Sequence, residues 1–112
     1  MIQANSLDKA AMETLVKVLV DVYKPNAVYL YGSQAWGTND IDSDIDMFIL
    51  LKSSNINQAE RIRIGTRALM GSGLDVDLLV LTEAEVLNRK NHPSTLVHRI
   101  FSKGIKLYDA AA

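Results

Sequence analysis

Tyr31–Asp46 reads YGSQAWGTNDIDSDID, and the rest of the chain is understood from it. It opens as the tail of an apolar strand, Ala27-Val28-Tyr29-Leu30-Tyr31. It breaks at Gly32-Ser33, crosses a polar loop and re-enters an apolar run from Asp44 to Leu51. Side chains alternate faces along a strand. Asp44 and Asp46 therefore share one face, and Ile45, Met47 and Ile49 share the other. Two carboxylates about 5 Å apart repel by roughly 3 kcal/mol at an effective dielectric of about 20. A cation between them removes that cost. A hard divalent ion with oxygen ligands, above all magnesium, is the usual one.

The turn before the carboxylates has chemistry of its own. Gly32 permits a tight turn and close backbone approach. Ser33 can cap a short helix, Gln34-Ala35-Trp36, that Gly37 stops. The N–H groups exposed at such a start form an anion site, and the Ser33 hydroxyl adds a donor. A plain capping serine has the same local pattern; the aspartates that follow favour the phosphate reading. Asp40 and Asp42 extend the alternation and raise the question of a calcium loop. That loop needs Gly at its sixth position and Glu at its twelfth. Counted from Asp40 these are Ile45 and Leu51, and from Asp42 they are Met47 and Ser53, so a calcium loop is excluded. Asp40 and Asp42 are read as turn residues.

Working outward, 112 residues make one domain with one modest core. A net charge of −1 advertises no polynucleotide partner, though a local basic stripe remains compatible with it. The chain has no cysteine, hence no thiolate metal site and no cysteine nucleophile. No apolar run approaches the roughly 20 residues of a membrane span. MIQANSLDKA is not a signal peptide. A cytoplasmic protein without a membrane partner is the expectation.

Ser6 is placed to cap a first helix whose stripe is Leu7, Ala11, Leu15, Val18, Leu19 and Val22, ending at Pro25. The strand Ala27–Tyr31 is apolar enough to be buried on both faces. A second helix is predicted over Ile56–Met70, with Ala59, Ile62, Thr66 and Leu69 inward and Arg61, Arg63 and Arg67 on its solvated face. Arg63 and Arg67 share a side that would suit a phosphate or an acidic partner. Leu74–Leu81 is a third strand carrying Asp75 and Asp77 on one face; Asp77 lies deeper in the apolar run and calls for a partner there. Thr82-Glu83-Ala84-Glu85 is a capping box opening the helix Glu83–Arg89. A last helix, Pro93–Ser102, leads into a short edge strand, Ile105–Tyr108. His92 and His98 have no ligand-type spacing and read as surface or packing residues.

Together these parts are a Gly-Ser turn for a phosphate chain, Asp-x-Asp on an adjacent strand and one more strand Asp. Three carboxylates holding two magnesium ions suit attack of a hydroxyl on a nucleotide α-phosphate, with pyrophosphate leaving. The P-loop pattern is absent. Gly32-Ser33 followed by Ser43-Asp44-Ile45-Asp46 resembles the signature of the DNA-polymerase-β-like nucleotidyltransferase superfamily. The size and the ending Gly104-Ile105-Lys106-Leu107-Tyr108 are similar to its minimal branch, which includes MntA-type antitoxins.

The resemblance implies an α/β (α+β) fold: a small mixed sheet of four or five strands with helices packed on it, residues 1–112 forming a single minimal nucleotidyltransferase domain. It implies that Gly32 and Ser33 hold the triphosphate of ATP, that Asp44 and Asp46 ligate two Mg2+ ions, and that Asp77 is the third carboxylate, with Asp75 as its rival. It implies transfer of AMP to a tyrosine of a HEPN-type toxin, the chain acting as antitoxin. The alternatives are a non-catalytic module that masks such a partner, and a transferase acting on a small molecule of the antibiotic type. Related proteins often carry arginines after the Gly-Ser pair, where Gln34 and Trp36 stand here. Trp36 is placed either to stack on a base or to bury itself against the loop. A homodimer or a hetero-oligomer would each supply an acceptor site.

Overall fold

The computed structural model describes residues 9–32, 35 and 45–112. The expected Ser6 cap and Leu7, the short helix at Gln34–Trp36 apart from Ala35, and the loop Thr38–Ser43 lie outside them. The elements are α1 (Lys9–Tyr23), β1 (Ala27–Tyr31), β2 (Ile45–Leu51), α2 (Gln58–Ala68), β3 (Val76–Thr82), α3 (Glu83–Leu87), α4 (Leu96–Lys103) and β4 (Ile105–Asp109). One mixed sheet has the order β3-β2-β1-β4. β1 runs antiparallel to β2 and to β4, while β2 and β3 are parallel. A parallel pair needs a crossover, and α2 makes it. This is the mixed α/β arrangement expected from the sequence, with β4 at an edge. Among the described residues no helix is long and apolar enough to cross a membrane.

The two central strands are covered on both sides. Ala27–Leu30 of β1 is buried throughout, and Asp46 is the one residue of β2 that is not. On one face Val28, Leu30, Ile45, Met47, Ile49, Leu78 and Val80 pack against Leu15 and Leu19 of α1, with Ile62 and Leu69 beside them. On the other, Tyr29, Phe48, Leu50 and Leu81 pack against Val86, Val97 and Ile100 of α3 and α4. There Phe101 meets Tyr29 edge-on at 5.2 Å and Phe48 at 5.9 Å. Contacts of this kind add specific orientation to the burial.

The inward stripe of α1 is rotated from the expected one. Met12, Val16, Val20 and Tyr23 pack on the core with Leu15 and Leu19, and Val22 is exposed. The reason is Tyr23, whose hydroxyl donates to the Arg61 carbonyl at 2.5 Å and draws that side of α1 onto α2. The buried seam of α2 likewise differs from the expected one: Arg61 and Gly65 are buried, while Ala59 and Thr66 are exposed. Arg61 goes inward because its hydrogen bonds are met there. Its Nη1 and Nη2 donate to the two carboxylate oxygens of Glu85 at 2.7 and 3.2 Å, Nε to the Ile56 carbonyl at 3.0 Å, and Nη1 to the Val80 carbonyl at 3.3 Å. Glu85 also closes the capping box on Thr82. One guanidinium thus ties α2 to β3 and α3.

That tie holds the Glu85 carboxyl well below its ordinary value, at about 2, the Arg61 side-chain hydrogen bond being the first cause and the Thr82 N–H the second. A depressed carboxylate stabilises the fold above its unfolded pKa, and the contribution fades as pH falls toward the folded one. The stability advantage of the wild type over Glu85→Gln is therefore expected to be full at pH 6 and to shrink steadily below about pH 4.5. Urea unfolding across that range checks it. Gly65 is a second test: a Cβ there would run into the Tyr23 hydroxyl and Leu78 Cδ1. Gly65→Ala is expected to cost about 1–3 kcal/mol in the same measurement, despite the better helix propensity of alanine.

Candidate active site

β1 ends by turning at Gly32, whose φ of 75° lies in the left-handed region that favours glycine. The Ala35 N–H donates to the Gly32 carbonyl at 3.1 Å and closes that turn. Immediately before it, Tyr31 pairs with Asp46, and Asp46 pairs with Asp77. The three residues form one row across β1, β2 and β3. Residues paired in this way project to the same face of the sheet. Parity along each strand says which face: Asp46 lies two residues before Phe48, and Asp77 two before Leu79, so the row shares the face covered by α3 and α4. Tyr31 packs on the edge of that apolar cluster, and Asp46 and Asp77 continue the row from it.

Asp46 is half-buried and Asp77 is exposed. The depth expected for Asp77 is therefore corrected. The apolar run around it begins only at Val76, and Asp77 is the second residue of β3, at its open end. The arginine partner that a buried Asp77 would need is not there: the buried guanidinium, Arg61, is taken by Glu85. Arg63 pairs with Glu60 one turn back on α2. α2 packs on the opposite face of the sheet from the carboxylate row, so Arg63 and Arg67 belong to the other layer. Asp75 precedes β3, and its carbonyl accepts the Ile45 N–H at 3.0 Å. The row takes in Asp77 and not Asp75.

Gly32 sits against the Asp46 carboxylate. A Cβ at Gly32 would stand 3.0 Å from Asp46 Cγ and closer still to Oδ2. The residue at the turn is thus glycine for two reasons, its φ and this approach. Ser33 and Asp44, the other expected site residues, lie outside the described residues. Among the described residues no group of three or more His, Cys, Asp or Glu could hold a metal ion. Two carboxylates of the expected three, Asp46 and Asp77, are brought together.

Tyr31 was not singled out as a site residue on sequence, yet it stands in the row. Burial first, then the charges of Asp46 and Asp77, push its phenol up to about 12. It therefore stays neutral at physiological pH and adds no negative charge beside the carboxylates. The signal that could have found it is its position one residue before the glycine turn, opposite the Asp-x-Asp strand.

The donor set fits a divalent cation. It consists of hard carboxylate oxygens on neighbouring strands, near 4.8 Å apart by general sheet geometry, at an open sheet end. The space that the missing Gly32 side chain frees is taken by the Asp46 carboxylate itself, which brings it against the turn.

Residues 13–112 match the family model described as Polymerase beta, Nucleotidyltransferase. No match was found among curated proteins. Among solved structures, a proposed nucleotidyltransferase from Sulfolobus solfataricus superposes with a TM-score of 0.58 at 21% identity, over 94% of this chain and 92% of that one. A chain of the Shewanella oneidensis complex between MNT antitoxin and tri-AMPylated HEPN toxin gives 0.61 at 20% identity, over 94% and 75%. A toxin–antitoxin complex with AMP-PNP gives 0.62 at 24%, over 92% and 74%. At these identities the likeness is one of fold.

The row makes a prediction of its own. In an alkaline titration followed by phenolate absorbance, the phenol ionising near 12 is expected to disappear in Tyr31→Phe and to move down in Asp46→Asn. An unchanged titration curve in Asp46→Asn would mean that Tyr31 and Asp46 are not neighbours.

Proposed function

Because the chain belongs to the polymerase β nucleotidyltransferase family, we propose that it is a protein adenylyltransferase, moving AMP from ATP to a tyrosine hydroxyl of a HEPN-type partner and acting as its antitoxin. The single observation that carries this reading is the in-register pairing of Asp46 with Asp77 beside the Gly32 turn. The neighbours that pair an MNT antitoxin with an AMPylated HEPN toxin, or a toxin–antitoxin with AMP-PNP, support the choice of nucleotide and acceptor.

In this reading residues 1–112 act as a single minimal domain. Gly32 and Ser33 take the triphosphate on backbone N–H groups and a hydroxyl. Asp44, Asp46 and Asp77 would hold two magnesium ions. Bound there, the ions neutralise the polyphosphate and lower the pKa of an oxygen bound to them. The acceptor oxygen forms its bond to the α-phosphorus. The bond from that phosphorus to the bridging oxygen breaks, and pyrophosphate leaves with the electron pair. Asp77, exposed at the start of β3, receives the proton of the acceptor hydroxyl. Tyr31, held neutral, keeps its own proton and is no competing base.

A second reading, masking of the partner without chemistry, rests on Gln34 and Trp36, which stand where, by the resemblance, related proteins often carry arginines. Calorimetry separates the two. Magnesium-dependent ATP binding supports the enzyme; partner binding without it supports the mask.

The test of the first reading is transfer of α-labelled ATP to a HEPN-type partner in the presence of magnesium. Asp46→Asn and Asp77→Asn are each expected to slow labelling by on the order of 100-fold or more, and Asp75→Asn by far less. Labelling that survives in Asp77→Asn but is lost in Asp75→Asn would assign the third carboxylate to Asp75.

A further inference from the structure

Charge is distributed unevenly along the chain. Between Glu85 and Asp109 there is no Asp or Glu, while Arg89, Lys90, Arg99, Lys103 and Lys106 all fall there, with His92 and His98. The overall charge of −1 hides this, because the acidic residues lie in the rest of the chain. Most of the basic stretch is α4 and the connection leading to it from α3. Arg89, Lys90, Arg99 and Lys103 are all exposed.

The stretch is well held. The Thr95 hydroxyl donates to the Arg89 carbonyl at 2.6 Å or to that of His92 at 2.8 Å, and its oxygen caps α4 by accepting the His98 N–H. The His98 Nδ1 stands 2.8 Å from the Lys90 carbonyl, so it carries the proton and donates. Lys90 Nζ lies 6.0 Å from the centre of the Phe101 ring. The connection is folded back onto α4, and its charges are presented from a fixed backbone.

Its place relative to the carboxylates follows from the pairing. Ile105 pairs with Leu30, and Leu30 precedes Tyr31 of the carboxylate row. Gly104 is close enough to β1 that a Cβ on it would meet the Leu30 carbonyl at 3.1 Å. The C-terminal end of α4, with Lys103, therefore arrives at the same end of the same sheet face as Asp46 and Asp77. The helix leads away from there, past Tyr29 and Phe48, to Leu96.

Two large aliphatic side chains interrupt the charges. Leu87 is 60% exposed and Leu96 is 44% exposed. Aliphatic residues amid arginines and lysines suit a protein partner: they gain from burial, which a phosphate backbone does not offer. Phe101 of α4 is packed against Tyr29 and Phe48 and does not stand out as a platform for a base.

We propose that this surface, Leu87, Arg89, Lys90, Leu96, Arg99 and Lys103, docks an acidic protein segment and so delivers the acceptor hydroxyl to the carboxylate row. The proposal rests on the adenylyltransferase reading for the purpose of docking, and its test does not use that activity. The probe is the random copolymer of glutamate and tyrosine, which offers acidic charge and phenols together. Binding is measured by fluorescence anisotropy with neither ATP nor magnesium, so a dead site and an absent surface give different results.

The wild type is expected to bind the copolymer in a salt-dependent way. Reversal at Arg89→Glu, Lys90→Glu, Arg99→Glu and Lys103→Glu is expected to weaken binding roughly tenfold or more, since it sets like charges against each other. Exchange of the same four between Arg and Lys should retain most of it. A charge-matched reversal at Lys9→Glu, Lys17→Glu, Arg63→Glu and Arg67→Glu should leave binding within about twofold, because α1 and α2 cover the other face. Leu87→Ser with Leu96→Ser should weaken it several-fold, and thermal unfolding verifies that each variant is folded. Equal losses in the two reversal variants would overturn the proposal. So would tighter binding of a uridine 20-mer than of the copolymer, or no effect of the two serines.

Discussion

Two like charges sit side by side at the end of a sheet whose interior has no tolerance for either. Everything else in the fold keeps them there. Asp46 is the single break in the burial of β2, and Asp77 is its partner across the parallel pair. What holds them side by side is register. A slip of one residue would turn Asp46 into the α1 side and Ile45, Met47 and Ile49 out of it. The apolar core on both faces therefore fixes where the two carboxylates stand.

β3 is the strand on which this depends most, since it reaches β2 only through the crossover α2. The buried Arg61 spans that connection, with hydrogen bonds to the Val80 carbonyl on β3 and to Glu85 on α3. Gly65 lets Tyr23 and Leu78 close over α2 from two sides. On the opposite face Phe101 and Ile100 seat α4 on Tyr29 and Phe48. The site thus draws on packing from both layers, although its own side chains project from one face alone.

Much of this was legible in the sequence. Alternation in Asp44–Leu51, the capping box at Thr82 and the apolar run of β1 announced strands and caps where they occur. The pairing of Asp-x-Asp with a later strand aspartate came from the resemblance together with side-chain parity. What was not legible depends on register and on distant partners. Arg61 looked like a surface arginine because its carboxylate lies 24 residues on, in another element. The stripe of α1 was misplaced because Tyr23 answers to a carbonyl on α2. Asp77 looked deep because an apolar run does not say where a sheet begins to be covered. Tyr31 was passed over because the strand facing it, and the offset, cannot be counted from the chain.

The central claim is that Asp46 and Asp77, paired across β2 and β3, serve one divalent cation site. Thermal unfolding of the wild type and of Asp77→Asn, each in a chelator and in magnesium with ATP, tests it most directly. The account predicts that magnesium with ATP raises the melting temperature of the wild type and leaves that of Asp77→Asn close to its value in the chelator. An Asp77→Asn protein that keeps the full rise with magnesium and ATP would contradict it.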